Sequence, residues 1–100
     1  MQIPKRFKLL GQTIEVVENP SLGVTDDARG MAHYRMSKIE IQPNGENNPF
    51  PDSHIGHTFC HELTHFLFHL AGYPEDRSDE IKVDRIAGLL HQALTTMEYK

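Results

Sequence analysis

The chain holds a single cysteine, Cys60, among its 100 residues. No disulfide can form within it, which excludes a disulfide-stapled scaffold and points to a reducing compartment. Tryptophan is missing altogether, and no stretch approaches the roughly 20 apolar residues that a membrane-spanning helix requires. The N-terminal segment starts basic, with Lys5, Arg6 and Lys8, but no apolar run of a secretory signal follows. The expected location is therefore the cytoplasm, away from membranes. Positive charge is scarce and scattered: ten Lys and Arg against fourteen Asp and Glu leave a net charge of -4. Binding driven by phosphate contacts needs a basic patch, so no nucleic-acid partner is expected.

What the chain has in excess is histidine. Five of its seven, His54, His57, His61, His65 and His69, fall within sixteen residues without being contiguous. Around them the chain divides into a strand half and a helix half. Phe7 and Leu9 alternate with Lys8, Gly11-Gln12 offers a turn, and Thr13 to Glu18 carries Ile14, Val16 and Val17 as a half-buried strand. Asn19-Pro20-Ser21 ends it. Residues 21–30 read as loop, with a short helical turn as the alternative. Met31 to Met36 and Lys38 to Gln42 read as two further strands, and residues 43–52 as a polar, turn-rich loop.

Asp52 or Ser53 is placed to cap a helix over about 53–71, with Gly72 as its terminating residue and Pro74 beyond. After a connector at Glu75-Asp76-Arg77, Ser78 or Asp76 can cap a second helix over about 78–97. Its apolar stripe is Val83, Ile86, Ala87, Leu90, Ala93 and Leu94, and the small Ala87 permits a close helix–helix approach. The expected fold class is α+β in a single domain: a small antiparallel or mixed sheet of three to four strands packed on two C-terminal helices.

The first helix carries His61-Glu62-Leu63-Thr64-His65. Residues in a helix advance by about 100° each, so His61 and His65 lie about 40° apart and one turn along. Two imidazoles so placed can share one ion. Glu62, on the neighbouring flank, is poorly placed to ligate that ion but can reach a water beside it, the position of a general base. A catalytic zinc needs a third protein ligand. A third histidine six residues after His65 is ruled out, because position 71 is Ala71. Glu80, on the second helix, is the preferred candidate, and Asp84, one turn on, can accept an imidazole N–H and fix its tautomer. His69 is the alternative ligand, although three histidines at four-residue spacing turn too far around a straight helix for one ion. His54 and His57 read as cleft or solvent histidines, Cys60 as a buried thiol. Tyr34 and Tyr73 are candidates to reach a substrate oxyanion. A peptide substrate is expected to add to a sheet edge, with Lys38–Gln42 as the candidate strand.

His-Glu-x-x-His followed by Glu-x-x-x-Asp-x-x-Ala resembles the gluzincin metallopeptidases, and the short strand-first layout is most similar to ImmA/IrrE-type domains and minigluzincins. The likeness covers mainly residues 38–94. It implies Zn2+ on His61, His65 and Glu80, Glu62 as catalytic base, and Asp84 supporting a ligand. It also implies a peptide or protein substrate, such as a regulatory protein. The expected assembly is a monomer or a homodimer. Two readings stand beside the peptidase: a non-catalytic metal-binding regulatory or interaction domain, and a latent peptidase with an occluded cleft.

Overall fold

Arg6–Leu9 (β1) and Gln12–Glu18 (β2) alternate between solvent and interior, as half-buried strands must. Between them Leu10 and Gly11 both take positive φ, 50° and 78°, the backbone of a tight two-residue hairpin turn. β1 and β2 pair antiparallel, with Phe7 opposite Ile14. The computed structural model describes residues 1–22, 29–43 and 52–99, with Asp52 and Ser53 described in their backbone only. Most of the loops expected at 21–30 and 43–52 lie outside the described residues.

Gly30–His33 (β3) and Lys38–Ile41 (β4) complete a four-stranded mixed sheet of order β1-β2-β4-β3. β4 runs parallel to β2, with Val16 opposite Ile39, and antiparallel to β3, with Ala32 opposite Ile39. Asn19 ties the end of β2 to β4, its Nδ2 donating to Glu40 Oε2 at 2.8 Å. That bond, and one from Lys38, hold the Glu40 carboxyl below the usual carboxylate range.

Two strand expectations are corrected here. The Met31–Met36 strand stops at His33, because Tyr34 to Ser37 fold into a turn closed by Ser37 N–H on the Tyr34 carbonyl at 3.3 Å, with Ser37 at φ 50°. The Lys38–Gln42 segment is not an edge: β4 lies between β2 and β3. Alternation of Ile39 and Ile41 with polar residues reports one buried face and says nothing about which neighbours flank the strand. Among the described residues the free edges belong to β1 and β3.

The helices are Asp52–Ala71 (α1), the single turn Pro74–Arg77 (α2) and Glu80–Thr96 (α3). α1 ends at Gly72, whose φ of 87° is natural for glycine. Tyr73 N–H reaches back to the Phe68 carbonyl at 2.9 Å and Gly72 N–H to that of His69 at 3.3 Å, which satisfies the last carbonyls of the helix. α3 is capped by neither Ser78 nor Asp76. Asp79 has the extended backbone a cap requires, and its side chain accepts from Lys82 N–H at 3.1 Å. Ser78 instead closes α2, and Asp76 accepts from Lys82 Nζ at 2.6 Å.

α1 is the middle layer, with β3 and β4 on one side and α3 on the other. The buried cluster draws Ile14, Ile39 and Ile41 from the sheet, Phe59, Cys60 and Phe66 from α1, and Ala87 from α3. Coverage on both sides also buries Thr64, whose hydroxyl donates to the Cys60 carbonyl one turn back at 2.7 Å. On α3 the inward stripe is Val83, Ala87, Leu90 and Leu94. Ile86 and Ala93 fall outside it and face solvent, contrary to the six-residue stripe read from spacing. No described helix is long and apolar enough to cross a membrane.

Candidate metal centre

The packing of α3 on α1 decides which side chains meet. Ala87 has no exposed surface and adds no bulk, so the helices close and the first turn of α3 reaches the middle of α1. There a ring nitrogen of His61, one of His65 and a carboxylate oxygen of Glu80 all lie within 4.8 Å of one another. The two imidazoles stand 5.0 Å apart, 68° from coplanar. Asp84, one turn after Glu80, is 3.3 Å from His61 Nδ1.

Counting protons defines the character of this cluster. A carbonyl oxygen can only accept, so the 2.8 Å contact of His65 Nδ1 with the Arg77 carbonyl puts the His65 proton on Nδ1. A neutral His65 then presents the lone pair of Nε2 to Glu80 Oε1 at 3.2 Å. His61 lies between two carboxylates, its Nε2 3.0 Å from Glu80 Oε2 and its Nδ1 3.3 Å from Asp84 Oδ1, so a neutral ring donates to one of them and turns a lone pair to the other. The His65 lone pair and the Glu80 carboxylate thus meet acceptor to acceptor beside His61, a cluster that a cation would satisfy. Protons on both Nε2 atoms would serve the same need, but burial disfavours the His65 cation and lowers its pKa, against the opposing pull of Glu80. Donors at 2.0–2.1 Å from a tetrahedral zinc stand about 3.3 Å apart. The three donor atoms here lie within 4.8 Å of one another, close enough to gather on one such ion, so the donor set fits a metal ion.

Glu62 is buried, with 7% of its surface exposed. Burial pushes its carboxyl up to about 7; positive charge on His61 opposes the rise and the Glu80 carboxylate adds to it. The wall over Glu62 is β3. A Cβ at Gly30 would stand 2.7 Å from Thr58 Cγ2 and 2.9 Å from Glu62 Oε2, so only glycine leaves room for the carboxyl. Gly30, His57, Thr58, His61, Glu62 and Asp84 share an open cleft of about 390 Å3. One wall of the Glu62 pocket is thus β3, a strand at a free edge of the sheet among the described residues.

The remaining candidates fall elsewhere. His69 turns away from the cluster: its Nδ1 accepts from Arg77 Nη1 at 2.8 Å and its ring stacks on Tyr34 at 4.3 Å. His57 lies on the cleft with Nε2 3.7 Å from Asp84 Oδ1, and His54 is exposed on the same cleft. Tyr73 is 56% exposed. The Tyr34 hydroxyl lies near enough to Glu62 and Glu80 for their charges to add to the raised pKa that burial gives it, against Arg77. Cys60 is fully buried, its thiol pushed up by burial. Two site groups were invisible to motif reading. The Arg77 carbonyl carries no residue-type signal, and Gly30 falls within the stretch 21–30 that reads as loop.

The chain matches no protein-family model, no curated protein and no solved structure.

Proposed function

We propose that the chain is a zinc-dependent metallopeptidase of the gluzincin kind that its motifs resemble. The observation that carries this reading is the convergence of His61, His65 and Glu80, one residue from a buried glutamate that opens on a cleft. A divalent ion held by His61, His65 and Glu80 would supply a Lewis acid for the peptide carbonyl and lower the pKa of water at the site. The other roles belong to the chain. The Arg77 carbonyl holds the His65 imidazole with Nδ1 protonated and Nε2 free to ligate, and Asp84, 3.3 Å from His61 Nδ1, would do the same for His61 once an ion takes its Nε2. Glu62 takes a proton from the attacking water onto its carboxylate. It then delivers that proton to the leaving amine nitrogen.

β3 gives the substrate a place to lie. It is an edge strand among the described residues, and it begins at Gly30, against the Glu62 carboxyl. An extended peptide paired along that edge passes the base with its backbone held in register. This replaces the Lys38–Gln42 segment as the docking strand.

The test combines metal analysis with peptidase assay. Purified protein is expected to take up one equivalent of Zn2+, Glu80→Ala to lose it, and Glu62→Gln to keep it while hydrolysis of a casein or mixed-peptide substrate disappears. Full residual turnover in Glu62→Gln would sink the assigned role of the base. One bound zinc with no hydrolysis by the unsubstituted chain would favour the non-catalytic metal-binding reading.

A further inference from the structure

α2 is a single helical turn without a buried residue, so core packing does not anchor it. Yet its last residue, Arg77, provides the carbonyl that orients His65. The Arg77 backbone N–H bonds the Tyr73 carbonyl at 2.9 Å and Asp76 pairs with Lys82, but the tie from Arg77 to α1 is made by its own side chain. Nη1 donates to His69 Nδ1 at 2.8 Å, and the guanidinium lies over the Tyr34 ring, 4.9 Å from its centroid. Tyr34 in turn stacks on His69 at 4.3 Å and 24°, and meets the buried Phe66 edge-on at 5.2 Å. His69 is one turn beyond His65 on α1, and Tyr34 follows directly after β3. The guanidinium therefore grips the same helix that carries His65 and the strand that walls Glu62, while its carbonyl bonds the His65 ring.

We infer that Tyr34, His69 and Arg77 form a clamp that sets the tautomer and ring angle of His65, which makes Arg77 a positioning residue for the metal centre. The inference rests on the metal-binding reading of His61, His65 and Glu80 but asks a separate question of it. The guanidinium must donate to His69 Nδ1, so His69 keeps its own proton on Nε2 and serves the clamp as an acceptor. The chemistry at Arg77 is divided: the side chain fixes the residue, and the main chain fixes the ligand. Substitution of the side chain leaves the carbonyl in place and releases only its position.

The experiment compares the unsubstituted chain with Arg77→Ala, His69→Ala and the double variant. Zinc affinity is read by competition with a chromophoric chelator, and the His65 tautomer by 15N NMR of the metal-free protein. Loss of a group that orients a metal ligand weakens binding by about tenfold or more, and each single variant is expected to show that loss. The double variant should lose no more than either single, because the two residues act through one contact. In the metal-free protein His65 should be the Nδ1–H tautomer, and a mixture once Arg77 is alanine. Zinc affinity within about twofold of the unsubstituted chain in Arg77→Ala, with the tautomer unchanged, would overturn the inference. So would an Nε2–H tautomer in the unsubstituted chain, a result that needs no variant to fold. Failure of the unsubstituted chain to bind zinc would strike the metallopeptidase proposal, while the tautomer and its response to Arg77→Ala would still decide the clamp.

Discussion

Replacing Glu62 by glutamine should stabilise the metal-free protein at neutral and alkaline pH, at the expense of its proposed chemistry. The reasoning starts from burial. The Glu62 carboxyl is 7% exposed and its pKa is pushed from the ordinary 4.5 up to about 7. The folded state therefore binds the Glu62 proton more tightly than the unfolded chain does. Below pH 4.5 both states are protonated and nothing is lost. Between 4.5 and about 7 the unfolded chain releases its proton first, so folding stability falls as the pH rises, and above 7 the loss is complete. Each pKa unit is worth about 1.4 kcal/mol, so the rise corresponds to a penalty of about 3 kcal/mol. That is a large part of the 5–15 kcal/mol typical of a whole domain. Glutamine resembles the protonated acid and carries no charge to bury. Urea unfolding in the presence of a chelator, run for both proteins from pH 4 to pH 8, measures the difference directly. Glu62→Gln should match the unsubstituted chain near pH 4 and exceed it by about 3 kcal/mol at pH 8. The depressed pKa of His65 acts the other way in each protein, since stability from a lowered histidine is lost as pH falls, and it largely cancels in the comparison. A difference that stays flat across this range, or grows toward acid, would refute the burial argument.

Two further substitutions probe the scaffold. Gly30→Ala puts a methyl group 2.9 Å from Glu62 Oε2 and 2.7 Å from Thr58 Cγ2. Hydrolysis should fall at least tenfold while one zinc is still bound, because the base is displaced and the ligands are not; unchanged kcat/KM would show that Glu62 needs no such space. Asp79→Ala removes the side chain that accepts from Lys82 N–H and should cost about 1 kcal/mol in chemical denaturation, whereas Ser78→Ala should cost less. Equal losses at the two positions would return the cap to the earlier residue.

Local rules carried the helix half of the molecule. His61 and His65 share a face because of helical periodicity alone, and Glu80 with Asp84 follows the same rule on α3. Gly72 stops α1 through its own backbone freedom, so it too could be read in isolation. What failed was every inference that took order along the chain for order in space. β4 directly precedes the loop into α1, yet β3 is the edge beside Glu62, because β4 pairs parallel with β2 and leaves the outer position to β3. Ile86 recurs at helical spacing but sits on the shoulder of the stripe, where α1 does not reach. The Arg77 carbonyl is a backbone atom, and backbone acceptors exist at every position. Only the turn that brings α2 under His65 singles it out.

The features that make the metal-free site unfavourable are the ones a bound cation would reverse. A carboxyl buried at Glu62 resists ionisation, and a positive charge beside it favours the ionised form. The Nε2 lone pair of His65 faces Glu80 with no proton to share, and a bound ion would turn acceptor against acceptor into ligation. The Arg77 carbonyl could have bonded the His65 imidazole through Nε2, leaving no such conflict; it bonds Nδ1 instead. Each of these features costs the metal-free fold stability and would favour a metal-bound one. Local conflict of this kind, gathered on Glu62, His65 and Glu80, is what a site shaped by chemistry rather than by stability is expected to show, and relief of it by zinc is the outcome the proposed function requires.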